Sequence, residues 1–459
     1  MTSQPVTPAV SAFIAGAQTI DIPADFRELG KRHILDTLAA IVACRDLEPA
    51  VLARDYAVNL SGDVRRNAAT ILGTRQTASI VDAVFASAMA GHGAEINDFI
   101  PSAFVQPGPA VVSTAVALAE TRNLSGEALL RSVIVGYELA GRMPKALGID
   151  NLRRANIANH GVGPLFGAAA AAASLLRLPQ DRISDVLTYC AQQASGSWQW
   201  LLDVEHIEKS FVFAGMGARD GLHAALMTEA GFRGVRDSLD HASGWMRGAI
   251  FSGGDGDRAY LIEDLWGRSE LHQTAYKRYP VGGPTQPAVQ GLLDLLPQID
   301  RTAVEGVRIE MPGRWQAFRD AAMPALNLRY LTAIILIDGR LDFVAAQSRE
   351  RMLTDPAVQA LMARVEIAHD PQQEAARGEP RTESARVSIT ETGGARRETY
   401  VPYVVGFPSH PMSKSDVEAK ALELMKPALG ASRAREVLET VETLESLPSG
   451  GRLAELIAC

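Results

Sequence analysis

The stretch 156–178, NIANHGVGPLFGAAAAAASLLRL, constrains the fold of this chain more than any other segment. It contains six consecutive alanines, Ala168 to Ala173. Alanine has the highest helix propensity and a very small side chain, so the stretch predicts a helix that neighbours approach closely. Because it is apolar nearly all round, we expect a buried central helix. Its apolar run is shorter than the roughly 20 residues that a bilayer span needs.

The start of this helix is a candidate functional position. The run Gly161-Val162-Gly163 predicts a turn that presents backbone N–H groups, with His160 beside it. A helix dipole attracts an anionic ligand at such a start. A capping or packing role for His160 is the alternative.

Length and charge limit the class of protein. With 459 residues the chain is long enough for two domains with sizeable cores. The net charge of −8 is spread over acids and bases mixed along the chain, which argues against nucleic acid or an anionic membrane surface as a partner. A small anionic substrate remains compatible, because the charge of a pocket need not follow the total.

Cysteines and nucleotide-binding motifs give no indication of a metal or cofactor. Cys44, Cys190 and Cys459 are far apart and lack CxxC spacing, which fits a reducing cytoplasm and no structural metal site. The first residues, MTSQPVTPAVSAF, lack the pattern of a signal peptide. The sequence has no P-loop, no GxGxxG after a strand, no HExxH and no GxSxG, so nothing in it indicates a nucleotide, a flavin or zinc.

Hydrophobic periodicity divides the chain. Helical spacing predominates in residues 1–264 and returns in 405–459, where we expect the tail to pack back on the first domain. Alternating apolar residues in 265–404 predict strands with helices between them, and the polar stretch 370–383 predicts a loop. The fold class is therefore α plus α/β: a large all-helical domain formed by both ends of the chain, with a smaller α/β domain inserted. His33 and His223 lie inside predicted helices, where packing is the expected role.

Several sequence blocks occur in a fixed order: KRHILDTLAAIVA, GHGAEINDF, FGAAAAAASLLRL, QQASGSWQWLLDVEHIEKSFVFAGMGARDGLHAALMTEAGF, YKRYPVGGPTQPAV, LIDGRLDF and SHPMSKSDVEAKALELM. Together they resemble the MmgE/PrpD family, which includes 2-methylcitrate dehydratase, cis-aconitate decarboxylase and iminodisuccinate epimerase. The likeness covers nearly the whole chain.

This resemblance implies a homodimer, an active site in the cleft between the domains, no cofactor, and a small polycarboxylate as substrate. Lys209 falls where the family has its active-site lysine, and His160 matches the histidine before the central glycines. A solvated loop charge is the alternative for Lys209. Lys277, Arg278 and Tyr279 open the block that leads into the second domain, where two adjacent cations suit a polycarboxylate; a surface pair is the alternative.

The sequence also departs from the family pattern. Glu95-Ile96-Asn97-Asp98 stands where relatives usually carry an Asp-Phe-Asp-Asp type of stretch, and Gln106 and Gln286 stand where many carry histidine. Glutamine can hydrogen-bond a carboxylate but cannot shuttle protons near neutral pH. Trp198 and Trp200 are candidates for the wall of an altered pocket, with simple core packing as the alternative.

These activities all build negative charge on a carbon beside a carboxylate, which requires acid/base groups and fixed cations or N–H donors. The leading hypothesis is a cofactor-independent lyase that eliminates water or CO2 from a small di- or tricarboxylate. Lys209 and His160 are its expected acid/base pair. The expected substrate-binding residues are Glu95, Asn97, Gln106, Lys277, Arg278, Tyr279 and Gln286. An isomerase or epimerase is the first alternative, and a catalytically dead carboxylate-binding relative is the second.

Overall fold

The computed structural model describes residues 5–64, 66–251, 253–375 and 383–459. The chain forms two compact units. The helical unit comprises the described residues up to Gly93, together with Asn97–Ala275 and Ser413–Cys459. The sheet unit comprises Ala94–Ile96 and Tyr276–Met412. The expected fold class, helices from both ends of the chain with a smaller α/β segment inserted, is confirmed.

The α-helices, in chain order, are α1 Val6–Gly16, α2 Ala24–Cys44, α3 Glu48–Ser61, α4 Ile80–Gly91, α5 Pro107–Arg122, α6 Gly126–Leu147, α7 Ile149–Arg154, α8 Asn159–Leu175, α9 Gln180–Gln193, α10 Ile207–Ser210, α11 Met216–Glu229, α12 Gln286–Leu295, α13 Trp315–Arg319, α14 Leu328–Asp338, α15 Phe343–Gln347, α16 Arg349–Thr354, α17 Pro356–Met362, α18 Lys414–Glu442 and α19 Arg452–Ile457. The strands are β1 Ala68–Thr70, β2 Thr77–Ser79, β3 Val304–Met311, β4 Val365–His369, β5 Ala385–Glu391 and β6 Arg396–Val401. Among the helices of these described ranges, none combines the length and the apolar character that a membrane span needs.

The alanine-rich helix α8 lies at the centre of the helical unit, and every residue from Asn159 to Leu175 is buried. Its small residues let α6 approach closely. A Cβ atom at Gly167 would lie 2.8 Å from the carbonyl oxygen of Gly136, closer than real Cβ contacts come. The expectation of a buried central helix is confirmed. The expected Gly161-Val162-Gly163 turn is wrong, because these residues belong to the first turns of α8.

The tail of the chain packs against its beginning, as the sequence predicts. Ser413 caps α18 in a capping box with Asp416, and α18 then packs along α2. Lys420 of α18 donates a hydrogen bond to the buried Asp36 carboxylate of α2 at 2.6 Å. Gly430, with φ 75° and ψ 164°, interrupts the helical geometry of α18 near its middle.

The sheet unit contains four strands in the order β4-β3-β5-β6. Strand β3 is parallel to β4 and antiparallel to β5, and β5 is antiparallel to β6. Helices α12 and α14 pack on this sheet around a core of branched aliphatic side chains. The turn between β5 and β6 uses Gly393 and Gly394, both with positive φ.

The structure differs from the sequence predictions at three places. His223 does not pack in the core but is exposed on α11, because the face of the helix that it occupies lies away from α8. The short β1–β2 pair is antiparallel and was not predicted, since three-residue strands carry too little alternation. In the polar stretch 370–383, Pro371–Gln373 forms one 3-10 turn, and residues 376–382 lie outside the described residues.

Candidate active site

The nine predicted site residues divide between the two units. Four lie in the helical unit: Asn97, Gln106, His160 and Lys209. Five lie in the sheet unit: Glu95, Lys277, Arg278, Tyr279 and Gln286.

Lys209 lies in the short helix α10, and its side chain is buried, with 4% of the residue exposed. Its ammonium nitrogen lies 5.4 Å from the ring centroid of Trp200 and 5.3 Å from that of Phe213. The backbone N–H of Lys209 donates to the Asp203 carboxylate at 2.8 Å, which fixes the start of the helix. A solvated loop charge is therefore the wrong description of Lys209.

A single π-helical turn, Phe211–Gly215, connects α10 to α11. Such turns insert one extra residue into a helix and shift the direction of the side chains that precede them. The helix that follows begins in this turn and continues as α11. The π turn places Phe213 beside the ammonium group of Lys209.

His160, the second residue of α8, is held by aromatic rings. Its imidazole stacks on Phe213 with a centroid distance of 3.9 Å and an interplanar angle of 10°. It also makes edge contacts with Trp200 at 5.1 Å and with Trp198 at 5.3 Å. The N-cap residue of α8 is Ala158, so His160, inside the first turn, is not the N-cap residue. His160 and Lys209 share Phe213 and Trp200 as neighbours.

Two further histidines belong to this group and were missed from the sequence. His92, at the end of α4, is fully buried, and its ring lies 4.8 Å from that of Phe213. His206 precedes α10 and stacks on His92 at 5.2 Å. The available signal was the position of His206 three residues before Lys209, about one helical turn. The Phe213 cluster comprises these side chains: Phe213, Lys209, His160, His92, His206, Trp198 and Trp200.

The aromatic rings of the Phe213 cluster determine how its charged and polar groups can interact with a ligand. Ring faces stabilise an ammonium ion weakly, by about 0.5–2 kcal/mol, and exclude water around it. In such surroundings the attraction between a lysine and an entering carboxylate is stronger than in water. The indole N–H of Trp200 is buried without a hydrogen-bond partner among the described residues. The cluster thus offers a cation, imidazoles and one uncommitted donor.

Gln106 and Asn97 lie near the start of α5 and differ in the hydrogen bonds that their side chains make. Gln106 precedes α5 and is 8% exposed, and its side-chain carbonyl oxygen has no hydrogen-bond partner among the described residues. Asn97 is fully buried, and its amide donates to the backbone oxygen of Asp98 at 3.0 Å. Gln106 therefore retains an acceptor for a protonated ligand group, whereas Asn97 shapes the loop.

A second buried polar group, the Asp98 network, surrounds the carboxylate of Asp98. His33 lies 2.8 Å from this carboxylate, Tyr137 donates its hydroxyl at 2.5 Å, and the backbone N–H of Gly108 donates at 3.2 Å. The predicted packing role of His33 fits these contacts. Burial raises the pKa of the neighbouring Asp36, while Lys420 lowers it and Asp98 raises it. Asp98, Tyr137 and Lys420 were not predicted, because no local motif marks them.

In the sheet unit, the two adjacent cations occupy different environments. Lys277 is 1% exposed, and its ammonium nitrogen lies 3.6 Å from the buried carboxylate of Glu95. Arg278 is exposed, with its guanidinium 5.7 Å from the ring of Tyr279. The surface alternative therefore applies to Arg278 and does not apply to Lys277.

The side chain of Gln286 forms hydrogen bonds with the neighbouring backbone. Its side-chain oxygen accepts from the N–H of Tyr279 at 3.0 Å, and its amide donates to the carbonyls of Tyr279 and Val281, each at 2.8 Å. The hydroxyl of Tyr279 donates to Gln290 at 2.6 Å. Burial raises the pKa of the Tyr279 phenol above its ordinary value. Gln286 thus holds the turn that leads into α12.

Comparison with known proteins identifies the family. The MmgE/PrpD N-terminal domain matches residues 9–256, and the MmgE/PrpD C-terminal domain matches residues 279–446. A cis-aconitate decarboxylase of Homo sapiens is 22% identical over 443 residues, which is 93% of this chain and 89% of that protein. A cis-aconitate decarboxylase-like protein of Aspergillus oryzae is 26% identical over 270 residues, 55% of this chain and 52% of that protein, so the chain matches about half the length of this relative. On the strength of both domain matches, this chain belongs to the MmgE/PrpD family.

Proposed function

We propose that this protein is a cofactor-independent lyase that removes water or CO2 from a small di- or tricarboxylic acid. The observation that carries the proposal is the pairing of Lys209 and His160 around the same two rings, Phe213 and Trp200. An ammonium group and an imidazole so enclosed can bind a carboxylate and move a proton beside it. The names of the two relatives above support the reaction class.

Each reaction needs a defined movement of protons. In a dehydration, a base removes a proton from the carbon next to a carboxylate, and an acid protonates the departing hydroxyl, so that a double bond and water form. In a decarboxylation, the electron pair of the broken C–C bond remains on carbon as CO2 leaves, and an acid then protonates that carbon. In both, Lys209 neutralises charge on the acid, and His160 takes or gives a proton.

The other predicted residues receive unequal support as substrate-binding groups. The uncommitted oxygen of Gln106 fits a protonated carboxyl or a hydroxyl, and buried Lys277 supplies a cation to the sheet unit. The roles of Glu95, Asn97, Tyr279, Arg278 and Gln286 stay predictions, with least support for the last two. A homodimer and a cytoplasmic location are also part of the proposal and rest on the resemblance and on the cysteine pattern.

The test is an NMR assay of the purified protein with citrate, methylcitrate, aconitate and malate-like acids, run in parallel in H2O and D2O. The expected result is net loss of water or CO2 from at least one acid. Deuterium entering recovered substrate without net product would instead indicate the isomerase alternative. Thermal stabilisation by an acid without any turnover would indicate a binding protein, and a folded protein that neither binds nor converts any of them would contradict the proposal.

A further inference from the structure

His206 is held in an unusual backbone conformation. Its φ is 65°, in the left-handed region that residues other than glycine rarely occupy. The hydroxyl of Ser210 lies 2.7 Å from the backbone oxygen of His206 and 2.8 Å from that of His92, bracing both segments. Such strain persists only where surrounding contacts fix it, and it concentrates at functional positions.

The contacts of the His206 imidazole determine which nitrogen carries the proton. Its Nε2 atom lies 3.0 Å from the backbone oxygen of His92 and 3.3 Å from Nδ1 of the same residue. A carbonyl oxygen can only accept a hydrogen bond, so Nε2 must be the protonated nitrogen. In the neutral ring, Nδ1 of His206 is therefore the basic nitrogen, the one that gains or loses a proton.

The location of His206 suits proton exchange with a ligand held at Lys209. The residue is half-buried, unlike His92 and His160, which are buried. It stands three residues before Lys209, and both connect to Phe213, Lys209 directly and His206 through the ring of His92. If Lys209 anchors a carboxylate, an elimination still needs one group to remove a proton and another to supply one.

We propose that His206 is a further acid/base residue of the reaction assigned above, acting through Nδ1, with His92 as the residue that positions its imidazole. This inference rests on the proposed function. In an elimination, His206 and His160 divide the two proton transfers, one taking the proton from carbon and the other giving a proton to the departing hydroxyl. In a decarboxylation, which needs one proton on carbon, His206 makes this transfer in place of His160 and regains a proton from solvent.

The first experiment replaces the imidazole and keeps the backbone. Asparagine tolerates positive φ better than most residues, so His206→Asn should keep the melting temperature and lower kcat by about a hundredfold or more. The limb of the pH profile of kcat/KM that reports this imidazole should also disappear. His223→Gln, at the exposed histidine of α11, is the matched control and should leave rate and profile unchanged. A wild-type rate and profile in folded His206→Asn would overturn the assignment.

The second experiment separates chemistry from structure. Glycine accepts φ 65°, and His206→Gly leaves space for a small base. Added imidazole should therefore raise kcat of this variant at least tenfold. A residue with a purely structural role would show no such recovery. No restoration at saturating imidazole, with the protein folded, would overturn the proposal.

A third measurement needs no turnover. In 15N-labelled resting protein, with the signals assigned by comparison with His206→Asn, the neutral His206 ring should carry its proton on Nε2. A proton on Nδ1 would contradict the inference. If no acid is converted but the Nε2 tautomer is found, the proposed function and the acid/base role of His206 are both wrong. The assigned orientation of the His206 ring is then still correct.

Discussion

Two buried polar groups of the helical unit, the Asp98 network and the Phe213 cluster, both contain histidine but surround it differently. His33 lies within hydrogen-bonding distance of a carboxylate that also accepts from Tyr137 and from a backbone N–H. His160 lies flat on the phenyl ring of Phe213 with two tryptophans at its edges.

This difference separates structural from chemical roles. A buried carboxylate with several donors stabilises one arrangement of the helices, and removing any donor leaves a charge poorly compensated. Ring contacts contribute only about 0.5–1.5 kcal/mol each and do not use the proton of an imidazole. Substitutions around Asp98 should therefore lower stability, whereas substitutions around Phe213 should lower turnover.

The largest expected effect is on stability, at Lys420. Lys420→Met removes the cation from the buried Asp36 carboxylate, which should lower the free energy of unfolding at pH 7 by about 3–5 kcal/mol. Asp36→Asn combined with Lys420→Met removes both charges and should recover most of this loss. Denaturant unfolding of both variants tests the pair.

The same variant should show a defined pH dependence. Burial already raises the pKa of Asp36, and loss of Lys420 removes a contribution that lowers it. A carboxyl with a raised folded-state pKa stabilises the fold most when protonated, and this contribution is lost as pH rises through that pKa. Lys420→Met should thus be less destabilised at pH 5 than at pH 7. An equal loss at both values would contradict this assignment of charge.

The next effect is on rate, at Lys209. Lys209→Met keeps an apolar side chain between Trp200 and Phe213, so the melting temperature should change little. Turnover should fall by about a hundredfold or more, the scale for removing one group that stabilises charge in the transition state. Lys426→Met, at an exposed lysine of α18, is the control. An active, stable Lys209→Met protein would remove Lys209 from the site.

A smaller loss of stability is expected at Tyr137. Tyr137→Phe deletes a donor to the buried Asp98 carboxylate and should cost about 1.5–3 kcal/mol, because the acceptor is charged. Tyr330→Phe is the matched control in the sheet unit, where the hydroxyl donates to the neutral carbonyl of Ala345 at 2.6 Å. Its loss should be nearer about 1 kcal/mol. Equal losses in thermal or denaturant unfolding would show that the charge on Asp98 is unimportant.

The smallest effect compares the two tryptophans of the Phe213 cluster. Trp198→Phe and Trp200→Phe make the same chemical change, but among the residues that the structure describes only the indole of Trp198 finds an acceptor, the backbone oxygen of Ile157 at 3.2 Å. The Trp198 variant should be less stable than the Trp200 variant by about 0.5–1.5 kcal/mol. Unfolding curves measured without ligand give this difference. The reverse order would mean that the Trp200 indole has a partner in solution.

The fold could be predicted from local patterns because most elements carry them. The alanine run predicts α8, Ser413 and Asp416 mark the start of α18, and Gly393-Gly394 marks a turn. The strands β3 and β5 alternate apolar residues as expected for a sheet covered on one face. What the patterns did not reveal was the three-residue pair β1–β2, since its length is below what periodicity resolves.

The site was less predictable, since it depends on contacts between distant segments. Lys209 and His160 could be selected by resemblance, but their shared rings lie at Trp200 and Phe213. The π turn that places Phe213 has no sequence signature in a single chain. His206 lies in a run of charged residues and was therefore not selected. Nothing in the sequence indicates that the amide of Gln286 donates hydrogen bonds to the backbone. Hydrogen bonds across the fold therefore decide which polar residues remain available for chemistry.

The ion pair between Asp36 and Lys420 can form only late in synthesis of the chain. The two residues are 384 positions apart in the chain. At about 5–20 residues per second, a ribosome leaves Asp36 without its cation for roughly 20 to 80 seconds. During that interval α2 has emerged but α18, which covers it, has not been made. The sheet unit ends at Met412, before α18 begins, so the face of α2 that α18 covers stays uncovered until the last helices have been made.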